Sequence, residues 1–243
     1  MILMKLFLNI SILLILLAAC KKDACMKSRG DTVEISNSFE QIRVITVHDH
    51  IFLNLFPSDR NEVVVRAGEN LQAFIKVNNE QGRLEFRDNN RCNWLRSFKE
   101  NIEVDIYFSD GLDSLINFSS ADIQLMDTLR NNLVYEAFGA TGDAHLLIHS
   151  DSIQVFAETG PHDVYLYGQV DYSYFYHSGF GNIHAYELES VIQHSNNSST
   201  GDFYVRATEL LIAEVRSLGN IYYKGQPQEI KSTIEGKGDL IKD

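Results

Sequence analysis

SSADIQL (119–125), ATGDAHLL (140–147), GPHDVYLY (160–167), FGNIHAYE (180–187), TGDFYVRA (200–207), LGNIYYKG (218–225) and KGDLIKD (237–243) are successive returns of one motif. An Asp or Asn anchors each return, at Asp122, Asp143, Asp163, Asn182, Asp202, Asn220 and Asp239, in steps of 21, 20, 19, 20, 18 and 19 residues. Self-similarity at such a period is the mark of stacked repeats, because one repeat alone cannot bury its apolar face. Immediately after each anchor stands Ile123, Ala144, Val164, Ile183, Phe203, Ile221 or Leu240; two positions later come Leu125, Leu146, Leu166, Ala185, Val205 and Tyr223. A separation of two puts both columns on one face of a strand. A second strand in each repeat is expected about ten residues before the next anchor, with Leu133, Ile153, Ile192 and Leu210 inside. The pattern predicts a parallel β-helix with coils of about 19–20 residues, and seven anchors at ~4.8 Å per coil give a stack of about 30 Å.

Gly142, Gly181, Gly201, Gly219 and Gly238 precede most anchors. Glycine at positive φ beside an Asp or Asn that bonds its own backbone two residues on would turn a corner in every coil. An extended calcium site on the same column is the alternative for Asp143, Asp163, Asp202 and Asp239. Asn182 and Asn220 interrupt the acidic run, so side-chain hydrogen bonding, not charge, is what the position requires, and no metal site is expected.

Working outward, residues 39–108 carry strand-length apolar bursts, among them QIRVITV, HIFLNLF, EVVVRA, AFIKV, RLEF and NIEVDIYF, separated by turn residues such as those at 57–59 and 78–82. RDNNRCNWLRSFKEN (87–101) is a polar excursion with the single tryptophan, Trp94. At the N-terminus, Lys5 precedes the apolar run LFLNISILLILLAA, which is too short for a lasting membrane span and ends in Leu17-Ala18-Ala19-Cys20. That arrangement resembles a bacterial lipoprotein signal (residues 1–19), with Cys20 as the lipid-bearing first residue and 20–38 as a tether; an ordinary secretory signal is the alternative. Cys25 and Cys92 remain, an even pair suited to a structural disulfide in an oxidising compartment.

The formal charge of −12 over 243 residues becomes −13 once Lys5 leaves with the signal. Without Lys/Arg clusters, such a chain has no footprint for nucleic acid or for electrostatic docking on anionic lipid. The only membrane partner expected is through the N-terminal lipid.

FEQIRV (39–44), AGENLQAFIKV (67–77), RCNWLRSF (91–98) and SLGNIYYKGQPQEIKS (217–232), with the Gly-Asp/Asn returns, resemble the auto-transporter adhesin head domains called GIN domains. The resemblance covers residues 39–242 and departs at SSADIQL, whose anchor lacks the preceding glycine. It implies an all-β fold, a single-stranded right-handed parallel β-helix, on a lipoprotein of a Gram-negative cell envelope, in the outer membrane on its periplasmic or surface side.

Between the inward columns an outward one carries Gln124, His145, Tyr165, His184, Tyr204 and Tyr222; one outward step on come Met126, Leu147, Tyr167, Tyr186, Arg206 and Lys224. Rings at coil spacing would stack against sugars, with Arg206, Lys224 or the histidines donating hydrogen bonds. Equally, such rings stabilise one another across neighbouring strands. In DYSYFYHSGF (171–180), either Phe175 is core and Tyr172, Tyr174 and Tyr176 are displayed, or the reverse. His48 and His50 on one strand face are a remote metal pair. No catalytic nucleophile elbow, phosphate loop or dinucleotide fingerprint is present, and no cofactor is expected. The expected function is a lipid-anchored, non-enzymatic module that contacts a glycan or an envelope protein. The alternatives are a β-helical polysaccharide lyase or hydrolase using groups such as Asp163, Asp202 and Arg206, and an envelope scaffold that stacks through its ends.

Overall fold

The computed structural model describes residues 28–90 and 102–243, so Cys20, Cys25, Cys92 and Trp94 lie outside the described residues. The architecture is a β-solenoid of about six turns with parallel stacked coils. From residue 114 onward the chain winds in order through β8 (Ser114–Ser119), β9 (Ile123–Leu125), β10 (Leu133–Phe138), β11 (Ala144–Thr159), β12 (Val164–His177), β13 (Ile183–Asn197), β14 (Phe203–Val215), β15 (Ile221–Gly225), β16 (Glu229–Ile234) and β17 (Leu240–Lys242). The first halves of β11 to β14 stack with β9, β15 and β17; the second halves stack with β8, β10 and β16.

The N-terminal coils break sequence order. β2 (Val44–Asp49) pairs in parallel with β8 on one edge and with β6 (Arg83–Asp88) on the other. Likewise β3 (Ile51–Pro57) lies between β9 and β7 (Ile102–Phe108). The first coil in sequence is therefore second in the stack. Antiparallel strands close that end: β4 (Glu62–Gly68) on β7, β1 (Thr32–Ser38) on β4, and β5 (Ile75–Glu80) on β6. Such a cover occupies the N–H and C=O groups that a terminal coil would leave free. β5 and β6 are joined by Gln81-Gly82, both at positive φ (52° and 81°), as a two-residue hairpin of this twist requires. A short helix, α1 (Glu69–Gln72), occupies the expected turn after β4, and β1 lies in a segment expected to be tether. Asp105, 5% exposed, is held in this cover by Arg66 (2.5 Å) and Asn54 (2.9 Å), and Arg66 also reaches Glu34 (2.7 Å) on β1.

Among the described residues no strand covers the opposite end, where β16 pairs with β14 alone and β17 with β15 alone. Ile230 and Ile234, which continue inward columns, are consequently 42% and 49% exposed.

Both columns after the anchors point inward, Ile123, Ala144, Val164, Ile183, Phe203 and Ile221 being fully buried. On the second side the register runs Leu133, Ile153, Ser173, Gln193, Leu211. Ile192 and Leu210, expected inside, instead pair with each other on the outer side next to Tyr172. The core accepts Ser173 and Gln193 because they satisfy one another: Ser173 Oγ lies 2.5 Å from Gln193 Oε1 and 2.6 Å from Ser190 Oγ, and Gln193 Nε2 donates to Ser195 Oγ at 3.0 Å.

The anchors bond between coils, not to their own backbones. Asp122 Oδ1 accepts from the backbone N–H of Asp143 (2.9 Å), Asp143 from Asp163 (3.0 Å), Asp163 from Asn182 (2.7 Å), Asn182 from Asp202 (2.9 Å), Asp202 from Asn220 (2.7 Å) and Asn220 from Asp239 (2.9 Å). Both residue types supply that oxygen, which explains their interchange. Asp202→Ala should therefore cost about 1–2 kcal/mol, by orphaning the Asn220 N–H, while Asp202→Asn stays within about 0.5 kcal/mol. Urea midpoints of the two variants check this.

The glycines before the anchors also differ from expectation, for none of Gly142, Gly181, Gly201, Gly219 and Gly238 has positive φ. Their role is close approach. A Cβ on Gly181 would sit 1.7 Å from the His162 carbonyl oxygen, and one on Gly219 1.7 Å from that of Gly201. Each corner rests directly on the backbone of the preceding one.

Candidate functional site: a rib of stacked rings

The outward column forms one continuous stack. His145 and Tyr165 lie 4.5 Å apart between centroids (interplanar 4°), Tyr165 and His184 4.5 Å (8°), His184 and Tyr204 5.2 Å (5°), and Tyr204 and Tyr222 5.2 Å (10°). Register explains the order, since these five positions are direct neighbours on successive parallel strands. Gln124 and Ile241 are the register neighbours at the two ends. Every inner ring thus has both faces covered by its neighbours, so a sugar has no ring face to stack on within the rib. What reaches solvent is the line of ring edges, half-buried and bearing phenol hydroxyls and imidazole nitrogens.

The anchor column beside the rib tunes those edges. His184 Nε2 lies 3.2 Å from Asp163 Oδ2, and Asn220 Nδ2 donates to the Tyr222 hydroxyl at 3.3 Å. Burial first, then nearby carboxylates, push the Tyr165 and Tyr204 phenols above their ordinary range, so they remain hydroxyl donors at neutral pH.

The second outward column is not continuous. A bulge in β13 pairs Tyr167 with Glu187 and Arg206 with Glu189, leaving Tyr186 out of register with both. Tyr186 instead meets Tyr204 edge-on at 5.4 Å and lies under Lys224 Nζ at 4.0 Å; burial and the Asp243 carboxylate push its phenol up. Arg206 is engaged by Glu189 at 2.6 Å. Asp163 and Asp202, named for the hydrolytic alternative, both accept backbone N–H bonds in the anchor ladder.

On the other side, Phe175 is buried while Tyr172, Tyr174 and Tyr176 face outward, with Tyr174 edge-on to His194 at 4.9 Å. His48 stacks on Phe118 (4.7 Å), which stacks on Phe138 (5.3 Å). His50 is set apart from His48 by Asp49 at positive φ and contacts Ser120 instead. Among the described residues no group of three His, Cys, Asp or Glu is placed to hold a metal ion.

Sequence reasoning missed a buried corner. Asn117, His177 and Asn197 each accept from the backbone N–H two residues on, at Ser119 (2.7 Å), Gly179 (2.8 Å) and Ser199 (3.0 Å). His162, fully buried at the place other coils give to glycine, packs on His177 at 5.7 Å. The shared Asn/His-x-Ser/Gly spelling at these three corners was the available signal.

Solenoid, closed end and outward ring rib together define a repeat-built parallel β-solenoid covered at one end. The chain belongs to the family described as "Putative auto-transporter adhesin, head GIN domain", whose profile matches residues 39–227. It is similar in structure to a putative adhesin from Bacteroides fragilis NCTC 9343 (TM-score 0.79, 20% identity, covering 88% of this chain and 97% of that one). Similar too are a putative adhesin from Parabacteroides distasonis ATCC 8503 (TM-score 0.66, 20% identity, 88% and 98%) and a putative lipid binding protein from the same organism (0.65, 20%, 88% and 97%). No curated protein sequence matches the chain.

Proposed function

We propose that the chain is a non-enzymatic binding module of the cell envelope, tethered by lipid at Cys20, with Cys25 and Cys92 joined as a disulfide. It contacts a glycan or an envelope protein through the ring rib. The observation that supports this reading is the five-ring stack itself: a line of hydroxyl and imidazole edges repeating at coil spacing, which suits an extended, repetitive partner. Membership of an adhesin-head family is consistent with it.

Because the rings stack, replacing tyrosine by serine would weaken both contact and fold. Tyr165→Phe, Tyr204→Phe and Tyr222→Phe combined keep the stack and remove only the hydroxyls. The triple variant is expected to unfold within about 0.5 kcal/mol of the parent, yet lose at least ~10-fold in capture on an array of host and microbial polysaccharides and purified envelope proteins. Undiminished capture would move the contact elsewhere; release of new reducing ends or unsaturated products would point to an enzyme.

A second reading, self-association, is favoured by one observation: among the described residues β16 leaves an edge unpaired, with its Ile230 and Ile234 exposed. Sedimentation that depends on concentration, and that Ile230→Lys abolishes, would support it.

A further inference from the structure

At one corner of the solenoid, loops from three neighbouring strands, β7, β3 and β9, enclose a cleft of about 400 Å³. Its walls come from residues 57–58, 108–111 and 127–131, segments far apart in sequence that meet only because the first coil is threaded between β7 and β9. None of them belongs to the ring rib.

The walls are tied in place before any ligand arrives. Ser58 N–H donates to the Phe108 carbonyl at 2.9 Å. The Asn61 amide bridges to Ser109, donating to its Oγ and accepting from its N–H, each at 3.0 Å. Asn131 clasps Leu112 in the same way, donating to its carbonyl at 2.8 Å and accepting from its N–H at 3.2 Å. Gly111, at φ +80°, lets the Asn131 side chain pack where a Cβ would come within 2.4 Å of its Oδ1.

The rim contrasts with the rest of this end of the molecule. Arg43, Arg60 and Arg66 each hold a carboxylate, at Asp113, Glu62 and Asp105. On the rim, Asp110 and Arg130 are exposed and form no ion pair among the described residues. The Asp127 carboxylate accepts from the adjacent Thr128 N–H, at 2.6 Å. Ser58, Ser109 and Thr128 add hydroxyls, and half-buried Pro57 is the apolar wall open to the cleft, since Phe108 and Leu129 are each 1% exposed.

We propose that this cleft binds a neutral sugar residue. Carboxylates accept from adjacent hydroxyl pairs, a guanidinium and hydroxyls donate to ring and hydroxyl oxygens, and the Pro57 ring meets the C–H face of the sugar. Arg43, paired with Asp113, also donates to the Asp110 carbonyl at 2.8 Å. Asp110, Asp113 and Asp127 against Arg43 and Arg130 leave the rim net acidic, which opposes an anion, and the arginines oppose a cation. The volume suits one or two hexose units. This assignment is independent of whether the rib makes a contact.

The test uses the full chain with methyl glycosides of glucose, galactose, mannose and N-acetylglucosamine, read by saturation-transfer NMR, with glucuronate and glucosamine as charged counterparts. At least one neutral glycoside should bind, and Asp110→Asn with Arg130→Gln should weaken it at least ~10-fold without changing Tm. Binding of only a charged counterpart, failure of all four neutral glycosides, or unchanged affinity in the folded double variant would each overturn the proposal.

Discussion

Gly219→Ala should destabilise the protein by about 3 kcal/mol or more, lowering Tm by roughly 10 °C, although it adds a single methyl group to a residue with ordinary φ. The new Cβ would stand 1.7 Å from the Gly201 carbonyl oxygen and 2.9 Å from Asn197 Nδ2. Both obstacles are fixed, the first as backbone and the second by its bonds to the Gly201 and Asn220 carbonyls. Relief requires the two coils to part at the corner, which stretches the Asn220 N–H to Asp202 bond (2.7 Å) and the Phe203 N–H to Asn220 carbonyl bond (2.9 Å). Gly139→Ala is the informative control. Gly139 has φ +65°, but its Cβ would meet only Thr159 Oγ1, at 3.9 Å, so the cost is the backbone penalty of about 1–2 kcal/mol. Thermal unfolding that ranks Gly139→Ala as the worse of the two would refute close approach as the reason for the glycine column.

Acid should destabilise the solenoid through its interior. His162 and His177 are fully buried, and among the described residues neither nitrogen of His162 nor Nε2 of His177 has a partner at hydrogen-bond geometry. Burial is the main cause pulling both down to about 4; in His177 the neighbouring His162 ring adds to the effect while the His162 backbone and Asp163 oppose it, and in His162 Asp163 opposes it. Among nearby groups, Tyr135 lies 6.4 Å from His162, its own phenol pushed up by burial, so Asp163 is the principal opposing charge. Unfolded histidine titrates near 6.5, so between about pH 6.5 and 4 the unfolded chain binds protons that the folded one refuses. Stability is thus present above pH 6.5 and is lost as pH falls, by about 2–3 kcal/mol per histidine at pH 4.5. His177→Asn isolates this contribution, since Asn117 and Asn197 already perform the same corner bond. Urea unfolding at pH 7 and 4.5 should show a loss smaller by about 2 kcal/mol in the variant, against a shared carboxylate background. Equal losses would mean that these histidines find proton acceptors on acidification.

Much of this was written in the local pattern. The period near 19–20, the two inward columns after each anchor and the order of rings in the rib follow from alternation along single strands, which any parallel stack of those strands must respect. The Asp/Asn exchange identified a hydrogen-bonding position correctly in kind, while the partner proved to be the next coil's backbone. Where two apolar residues stand side by side, as at Val191-Ile192 and Leu210-Leu211, alternation does not choose between them. The core chose Gln193 and Leu211, because a bulge in β13 moved the register and Ser173 was available to satisfy the glutamine.

The sequence by itself determined the repeat, its family resemblance and the inward face of the strand after each anchor, because those depend on residues at most one coil apart. Only the tertiary structure decided that β2 and β3 enter the stack between β7 and β9, that the glycines serve contact and not φ, and that three distant loops share a cleft. The physical reason is the same in each case. These features depend on which backbone lies against which across tens of residues, and that is settled by packing and loop closure between coils, not by any periodicity along the chain.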